Sequence, residues 1–312
     1  MTRVLVLGAN GYLGSHLARN MVGAGHDVAG LVRNADAAAR LEATGARSIT
    51  GDLTNRDVLV PELSAADAIF YAAQLDLAGE YETVAWMLER IAGTGKAFVF
   101  TSGTGVLSQR TDGDWSEDSF AEEDIFVPSK YIGARKNTED MVRAAAATGI
   151  RAFVVRPPLL WGNGGCQAVA NFYHSAVKTG AVCYIGRGLN LYSNVHVEDL
   201  CELYRLILEK GVSGRLYHAV SGEANFRALA EGVAKTLDVP TRSVSLGEAM
   251  EIWDKFTALI ALATCSRSRS PLARRELGWA PRADRLDIME EARHPGFAAR
   301  FMARNRPFEK AT

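Results

Sequence analysis

The feature that most narrows the fold is a turn. The apolar stretch 4–7 runs without a spacer into Gly8-Ala9-Asn10-Gly11-Tyr12-Leu13-Gly14, and a run of helix formers follows at once. A strand, a glycine turn and an amphipathic helix in that order place backbone N–H groups at the positive end of a helix dipole. There the missing side chains let a pyrophosphate approach. Glycines at this spacing are a weak signal alone, because turns use them too; the strand before and the helix after make the loop a dinucleotide site. Gly8, Gly11 and Gly14 are the first cofactor-binding candidates. Asn10 tightens the turn, and Tyr12 and Leu13 open the helix.

Apolar or β-branched runs at 4–7, 28–32, 48–50, 68–71, 97–101 and 152–155 alternate with helical periodicity at 12–22, 35–43, 81–91 and 132–147. This predicts an α/β fold, a Rossmann-type doubly wound parallel sheet covered on both faces. The alternation breaks after Pro157-Pro158, where glycine turns at 162–165 and 186–188 frame a helix near 168–178. A helix at 197–209 and a strand at 216–220 then return to the sheet before the chain leaves again at Gly222. Residues 1–157 and about 189–221 are expected to form the nucleotide-binding domain. A smaller, interleaved substrate-binding part is expected from about 158–188 and 222–312.

The end of the second strand decides which dinucleotide is bound. A carboxylate there takes the ribose 2'-hydroxyl, whereas a 2'-phosphate needs a cation. Val32 is followed by Arg33, so charge-assisted hydrogen bonds favour NADP(H). Asp52, in Gly51-Asp52-Leu53, either receives the adenine amino group or caps the next helix, for which Thr54 competes.

A net charge of -1 gives no field that selects nucleic acid or an anionic membrane, so a small molecule is the expected partner. No apolar run approaches the roughly 20 residues of a membrane span. The stretch at the amino terminus belongs to the fold and does not read as a signal peptide, so a cytoplasmic location is expected. Cys166, Cys183, Cys201 and Cys265 are scattered, with no histidines at metal-ligand spacing; they read as reduced and structural, and no metal is expected.

The order of these motifs, together with Phe100-Gly103, Tyr131-Glu139, "RPPLLWG" at 156–162, "NVHVEDL" at 194–200 and "RRELGWAP" at 274–281, resembles the extended and atypical short-chain dehydrogenases/reductases over nearly the whole chain. The resemblance implies further cofactor contacts at Leu53, Ala72, Ala73, Thr101 and Pro157. It also implies a tyrosine general acid, a lysine four residues later and an upstream hydroxyl that bonds the substrate oxygen. Tyr131 matches the tyrosine. Arg135 holds the lysine position, stacked one helical turn away, with Glu139 keeping the register. Lowering a phenol from about 10 to neutral pH needs roughly 4 kcal/mol. At an effective dielectric of about 20, a cation about 4 Å away supplies a similar amount. Tyr131 and Arg135 also count among the cofactor contacts.

The usual serine position falls on Gly103, so Thr104 is the catalytic hydroxyl candidate and Ser102 stands behind it; both hydroxyls could equally satisfy backbone groups at a strand end. The asparagine often found on the preceding helix aligns roughly, and poorly, with Glu80. His196 and Asp199 read as scaffold. Ser102, Gly103, Trp161 and Tyr192 are substrate-side candidates, and the aromatic residues of that region suit an apolar or aromatic substrate. The acidic loop Asp112 to Asp124 reads as a solvated, mobile flap, and the cationic residues Arg293, Arg300, Arg304, Arg306 and Lys310 as solvated or at a subunit contact.

The resemblance implies a reductase in which NADPH gives hydride to a carbonyl, with Tyr131 as acid, Arg135 on the ribose and Thr104 on the oxygen. Two alternatives stand beside it: an epimerase or dehydratase that retains its nucleotide, and a non-catalytic NADP-responsive binding protein. Homodimer formation is compatible with each.

Overall fold

The computed structural model describes residues 1–296 and 299. Strands β1 (Arg3–Leu7), β2 (Asp27–Val32), β3 (Arg47–Thr50), β4 (Ala68–Tyr71) and β5 (Ala97–Thr101) form in turn, each followed by a crossover. A short β6 (Gln109–Arg110) leaves the sheet, and β7 (Arg151–Arg156) re-enters it. Beyond β8 (Leu159–Trp161), β9 (Val182–Ile185) and β10 (Leu191–His196), the strand β11 (Leu216–His218) closes the edge. The result is one seven-stranded sheet in the order β3-β2-β1-β4-β5-β7-β11, parallel throughout. The expected doubly wound α/β sheet is therefore present.

The two-residue period of the strands sorts the core. Val4 and Val6 of β1 join one apolar cluster with residues of α1 (Tyr12–Gly23), α2 (Ala35–Glu42) and α7 (Val197–Lys210). Leu5 and Leu7 point the other way, into a cluster with α3 (Arg56–Ala65), α4 (Leu77–Ile91) and α5 (Arg135–Ala144). Burial on both faces explains why the strands read as continuous apolar runs. Each fully buried leucine or phenylalanine contributes about 1.5–3 kcal/mol.

Two helices differ from the sequence reading. Helix α3, which contains Pro61, lies in a stretch where the sequence reading places no helix; Asn55 caps it by accepting from the Val58 N–H. Helix α4 begins ahead of the expected 81, since Asp76 caps it through Gly79. The stretch expected as helix from 132 is instead a series of turns up to Arg135, with the Gly133 N–H donating to Ser129 O at 2.7 Å.

A third apolar cluster unites α6 (Gln167–Thr179), β9 and α8 (Phe226–Leu237) with α9 (Leu246–Ile252). Beside it lies a small sheet in which β10 joins β8 to β12 (Gly222–Asn225), while β13 (Thr241–Val244) pairs with β9. The chain then returns as β14 (Thr264–Cys265), antiparallel to β6, ahead of α10 (Pro271–Leu277) and α11 (Met289–Arg293). In this return Ser266, Ser268 and Ser270 are buried, whereas Arg267 and Arg269 pair outward with Glu223 and Asp124.

That return corrects the reading of the acidic loop at Glu122; Asp112, Asp114, Glu117, Asp118, Glu123 and Asp124 are exposed, as expected of a solvated loop. Glu122 is buried and accepts from the N–H groups of His218, Leu272 and Ala273. Glu123 pairs with Arg215, and Asp112 with Arg110. The loop is stitched to the sheet edge and to the returning segment, and burial pushes the Glu122 carboxyl up despite these donors.

All four cysteines are buried and unbridged. Among the described residues no helix is long and apolar enough to cross a membrane, and no cluster of metal-binding side chains occurs. Arg300, Arg304, Arg306 and Lys310 lie outside the described residues.

Candidate functional site

The glycine loop sits where β1 meets α1, at the carboxyl end of the sheet. Gly8 has φ +88°, and a Cβ there would fall 2.6 Å from Ala72 O and 2.9 Å from the Ala73 Cα. A Cβ on Gly14 would fall 2.1 Å from Gly8 O. The loop thus packs backbone on backbone, with Ala72 and Ala73 against it. Helix α1 has no side-chain cap and no acid in its first turn, although α2, α3, α4, α8 and α9 are each capped by a side chain. Its first N–H groups therefore remain available to a ligand anion. Asn10 is exposed at the turn, and Leu13 is buried beneath it. Tyr12 reaches across to donate to Gly162 O at 2.5 Å, with its ring against Gly165.

At the other end of the cleft, Val32 pairs with Thr50, so Arg33 and Asp52 leave adjacent strands at the same level. Arg33 is exposed. Asp52 caps no helix; its Oδ1 accepts from the N–H and hydroxyl of Thr54, which holds its carboxyl below the usual range, with a smaller contribution from Arg33. The capping role belongs to Asn55. Leu53 is half-buried against the core.

The hydroxyls at the end of β5 are engaged. Thr101 shares a 2.6 Å hydrogen bond with Tyr204 of α7, and Ser102 donates to Glu139 at 2.5 Å. Glu139 is itself forked onto Arg156 in a fully buried pair. Gly103 is extended, at φ 175°, and a Cβ there would meet nothing nearer than Pro157 O at 3.8 Å. Thr104 is 1% exposed; its N–H donates to Pro157 O, and its carbonyl and hydroxyl oxygens accept from the Ser266 hydroxyl at 3.0 and 3.1 Å. The Tyr192 phenol lies beside this pair, its oxygen 3.9 Å from where a Gly105 Cβ would sit, and the Tyr192 backbone bridges to Ser266.

Tyr131 and Arg135 are not stacked. Because α5 begins only at Arg135, Tyr131 lies on the preceding turns, 39% exposed, with its phenol toward the Arg110 guanidinium. Arg135 instead forks onto Glu80 of α4 at 2.9 and 3.0 Å. Glu80 is fully buried, and desolvation raises its carboxyl even though Arg135 opposes the shift. The poor match at Glu80 thus has a use that the sequence reading missed.

Trp161 is likewise not at the site. Its buried indole donates to Asn194 and packs edge-on against His196. His196 caps α7, while Asp199 takes Arg285 and the Arg282 N–H, so both act as scaffold.

Two cavities flank these groups. One, of about 280 Å³, is lined by Tyr12, Leu159, Leu160, Tyr192, Phe226 and Leu262 among others, with no charged side chain among the described residues. The second, of about 650 Å³, holds Tyr131 and Arg110 between Phe120, Phe126 and Leu259. Phe226, Leu262 and Ser266 were not foreseen. Only the alternation of serine and arginine at 266–270 signalled a segment with one buried polar face.

A parallel sheet with an uncapped, glycine-led helix at its switch point defines a nucleotide-binding protein of the extended short-chain dehydrogenase/reductase type. The chain belongs to the NAD dependent epimerase/dehydratase family, whose model matches residues 4–220. It is 32% identical over 289 residues to an uncharacterized protein of Schizosaccharomyces pombe, covering 89% of this chain and 95% of that one. It is 28% identical over 232 residues to the 4-hydroxy-2-methyl-3-oxo-4-farnesyl-3,4-dihydroquinoline-1-oxide ketoreductase of Stigmatella aurantiaca, covering 70% of this chain and 68% of that one. Its fold is similar to the UDP-glucuronic acid 4-epimerase of Bacillus cereus, solved with UDP-glucuronic acid and NAD (TM-score 0.77, 14% identity, covering 96% and 99% of the two chains).

Proposed function

We propose that this chain is an NADP(H)-dependent reductase of a small, neutral, largely apolar carbonyl compound. The observation that carries the reading is the uncharged lining of the 280 Å³ cavity, shared between Tyr12 of the glycine-led helix and Leu159-Leu160 at the end of the sheet. A substrate bearing a pyrophosphate would find no counter-cation there, and burying an unpaired anion is prohibitive. A ketone needs only apolar contact and a hydrogen-bond donor. The similarity to a ketoreductase supports the same direction.

Gly8, Gly11 and Gly14 with the bare α1 terminus would hold the pyrophosphate, and Arg33 the 2'-phosphate. When bound, the reduced nicotinamide supplies the hydride that reaches the carbonyl carbon, and the oxygen takes up a proton. The chain's own contribution is to exclude water with apolar walls and to orient the oxygen with hydroxyls. Four buried, unbridged thiols support a reducing, cytoplasmic setting.

The engagement of Arg135 by Glu80 favours a second reading, a nucleotide-responsive binding protein without turnover. Loss of NADPH absorbance on mixing with a panel of neutral aryl and cyclic ketones separates the two. Turnover with neutral ketones and none with nucleotide sugars is expected. Tight NADPH binding with no turnover on any panel member would sink the reductase reading.

A further inference from the structure

Resting on the reductase reading, we infer that Tyr192 is the residue that recognises the substrate oxygen, its phenol forming with Thr104 and Ser266 a three-hydroxyl seat for a neutral ketone at the wall of the 280 Å³ cavity. The ring of Tyr192 lines that cavity and stacks on Phe226, at 6.0 Å between centroids and 24° between planes, so its direction is fixed by packing. Its phenol lies beside the Thr104-Gly105 turn, 3.9 Å from where a Gly105 side chain would begin. Thr104 in turn hangs from Pro157 O at the end of β7. The seat is thereby tied to the carboxyl end of the sheet, where the cofactor cleft opens.

The hydrogen-bond inventory makes the phenol the variable member. The Ser266 hydroxyl is donated to Thr104, and both residues are almost fully buried. Tyr192 retains a rotatable O–H at the cavity wall, and burial pushes its ionisation up, which keeps it a donor at neutral pH. Tyr131, by contrast, lines the other cavity and faces Arg110. The other polar side chains of the wall are Tyr12, Gln167 and Asn171, of which the Tyr12 phenol is donated to Gly162 O and the Gln167 amide to Asn171; a donor held in so largely apolar a wall discriminates, because a ligand without an acceptor leaves the buried group unpaired.

Binding of acetophenone and of its hydrocarbon isostere α-methylstyrene, measured by calorimetry on the full chain saturated with NADP+, tests the seat. The wild type is expected to prefer the ketone by about tenfold, the worth of one net hydrogen bond, and Tyr192→Phe to bind both equally while keeping its NADP+ affinity and melting temperature. A preference that survives in Tyr192→Phe, or its absence in the wild type, overturns the inference. The readout does not depend on turnover. If the ketone preference is present and lost in Tyr192→Phe but no ketone is reduced, the seat stands and the reductase reading falls. If ketones are reduced and Tyr192→Phe keeps the preference, the reverse holds.

Discussion

Arg135 directs both arms of its guanidinium onto Glu80, at 2.9 and 3.0 Å, and away from the tyrosine one turn before it in the sequence. The residue that occupies a catalytic register therefore serves as a strut between α4 and α5, and the unpartnered phenol of Tyr71 lies within its field. Removing one partner leaves a buried charge uncompensated. Arg135→Ala should lose about 3 kcal/mol of stability in urea unfolding, with much of it recovered in the Glu80→Gln/Arg135→Ala double variant. Additive losses would show that the two side chains do not support each other.

The glycine loop makes a sharper demand. Gly14→Ala sets a methyl 2.1 Å from Gly8 O, so NADPH affinity should fall by at least about a hundredfold while the circular dichroism spectrum stays that of the wild type. Gly103→Ser should cost neither folding nor affinity, because the backbone is extended and the space is open. A Gly14→Ala protein that still binds nucleotide would remove the loop from the site.

On the proposed NADP(H) reading, Arg33 would set the choice of nucleotide. Losing a charge-assisted contact to a 2'-phosphate should weaken NADPH binding about 10- to 100-fold in Arg33→Gln and leave NADH unchanged. Equal losses for both nucleotides would assign Arg33 a structural part.

Tyr131→Phe should retain most of the ketone turnover, since its phenol faces Arg110 in the other cavity. A loss of about a hundredfold or more would return Tyr131 to the reacting atoms, as a proton donor of the usual strength.

Stability should fall in acid for a stated reason. Burial lowers His218 from 6.5 to about 3, with Arg156 adding to the shift. The unfolded chain then binds a proton that the folded chain refuses between those values, so the contribution is fully present above about 6.5 and declines as the pH falls toward 3. His16, lowered to about 4 by burial, acts over the upper part of the same window. His218→Asn keeps a donor for Arg269 O without the titration, and its melting temperature should vary less with pH across that range. An unchanged acid limb would point to other groups.

Much of the fold could be read in advance because its signals are local. Burial on both faces wrote β1, β4 and β5 into the chain as apolar runs, and Gly8 and Gly14 are where a backbone contact forbids a side chain. The start of α5 was not legible. The apolar pattern at 132–147 suits a helix, but turns through Ser129 and Gly133 hold its first residues and swing Tyr131 outward. The proposed oxygen seat was hidden for a different reason. Tyr192 stood among the candidates, but its partner Ser266 lies 162 residues after Thr104, and only the tertiary return of the chain brings them together.

That distance gives the protein a built-in order of assembly. A chain emerging from the ribosome completes its glycine loop within its first residues, but the apolar cluster behind that loop closes only with Leu272, Ala273, Leu277 and Trp279. The last hydroxyl of the trio arrives only when the segment that stitches down the acidic loop has been made. The two halves of the molecule are thus finished together, by the same late segment of chain.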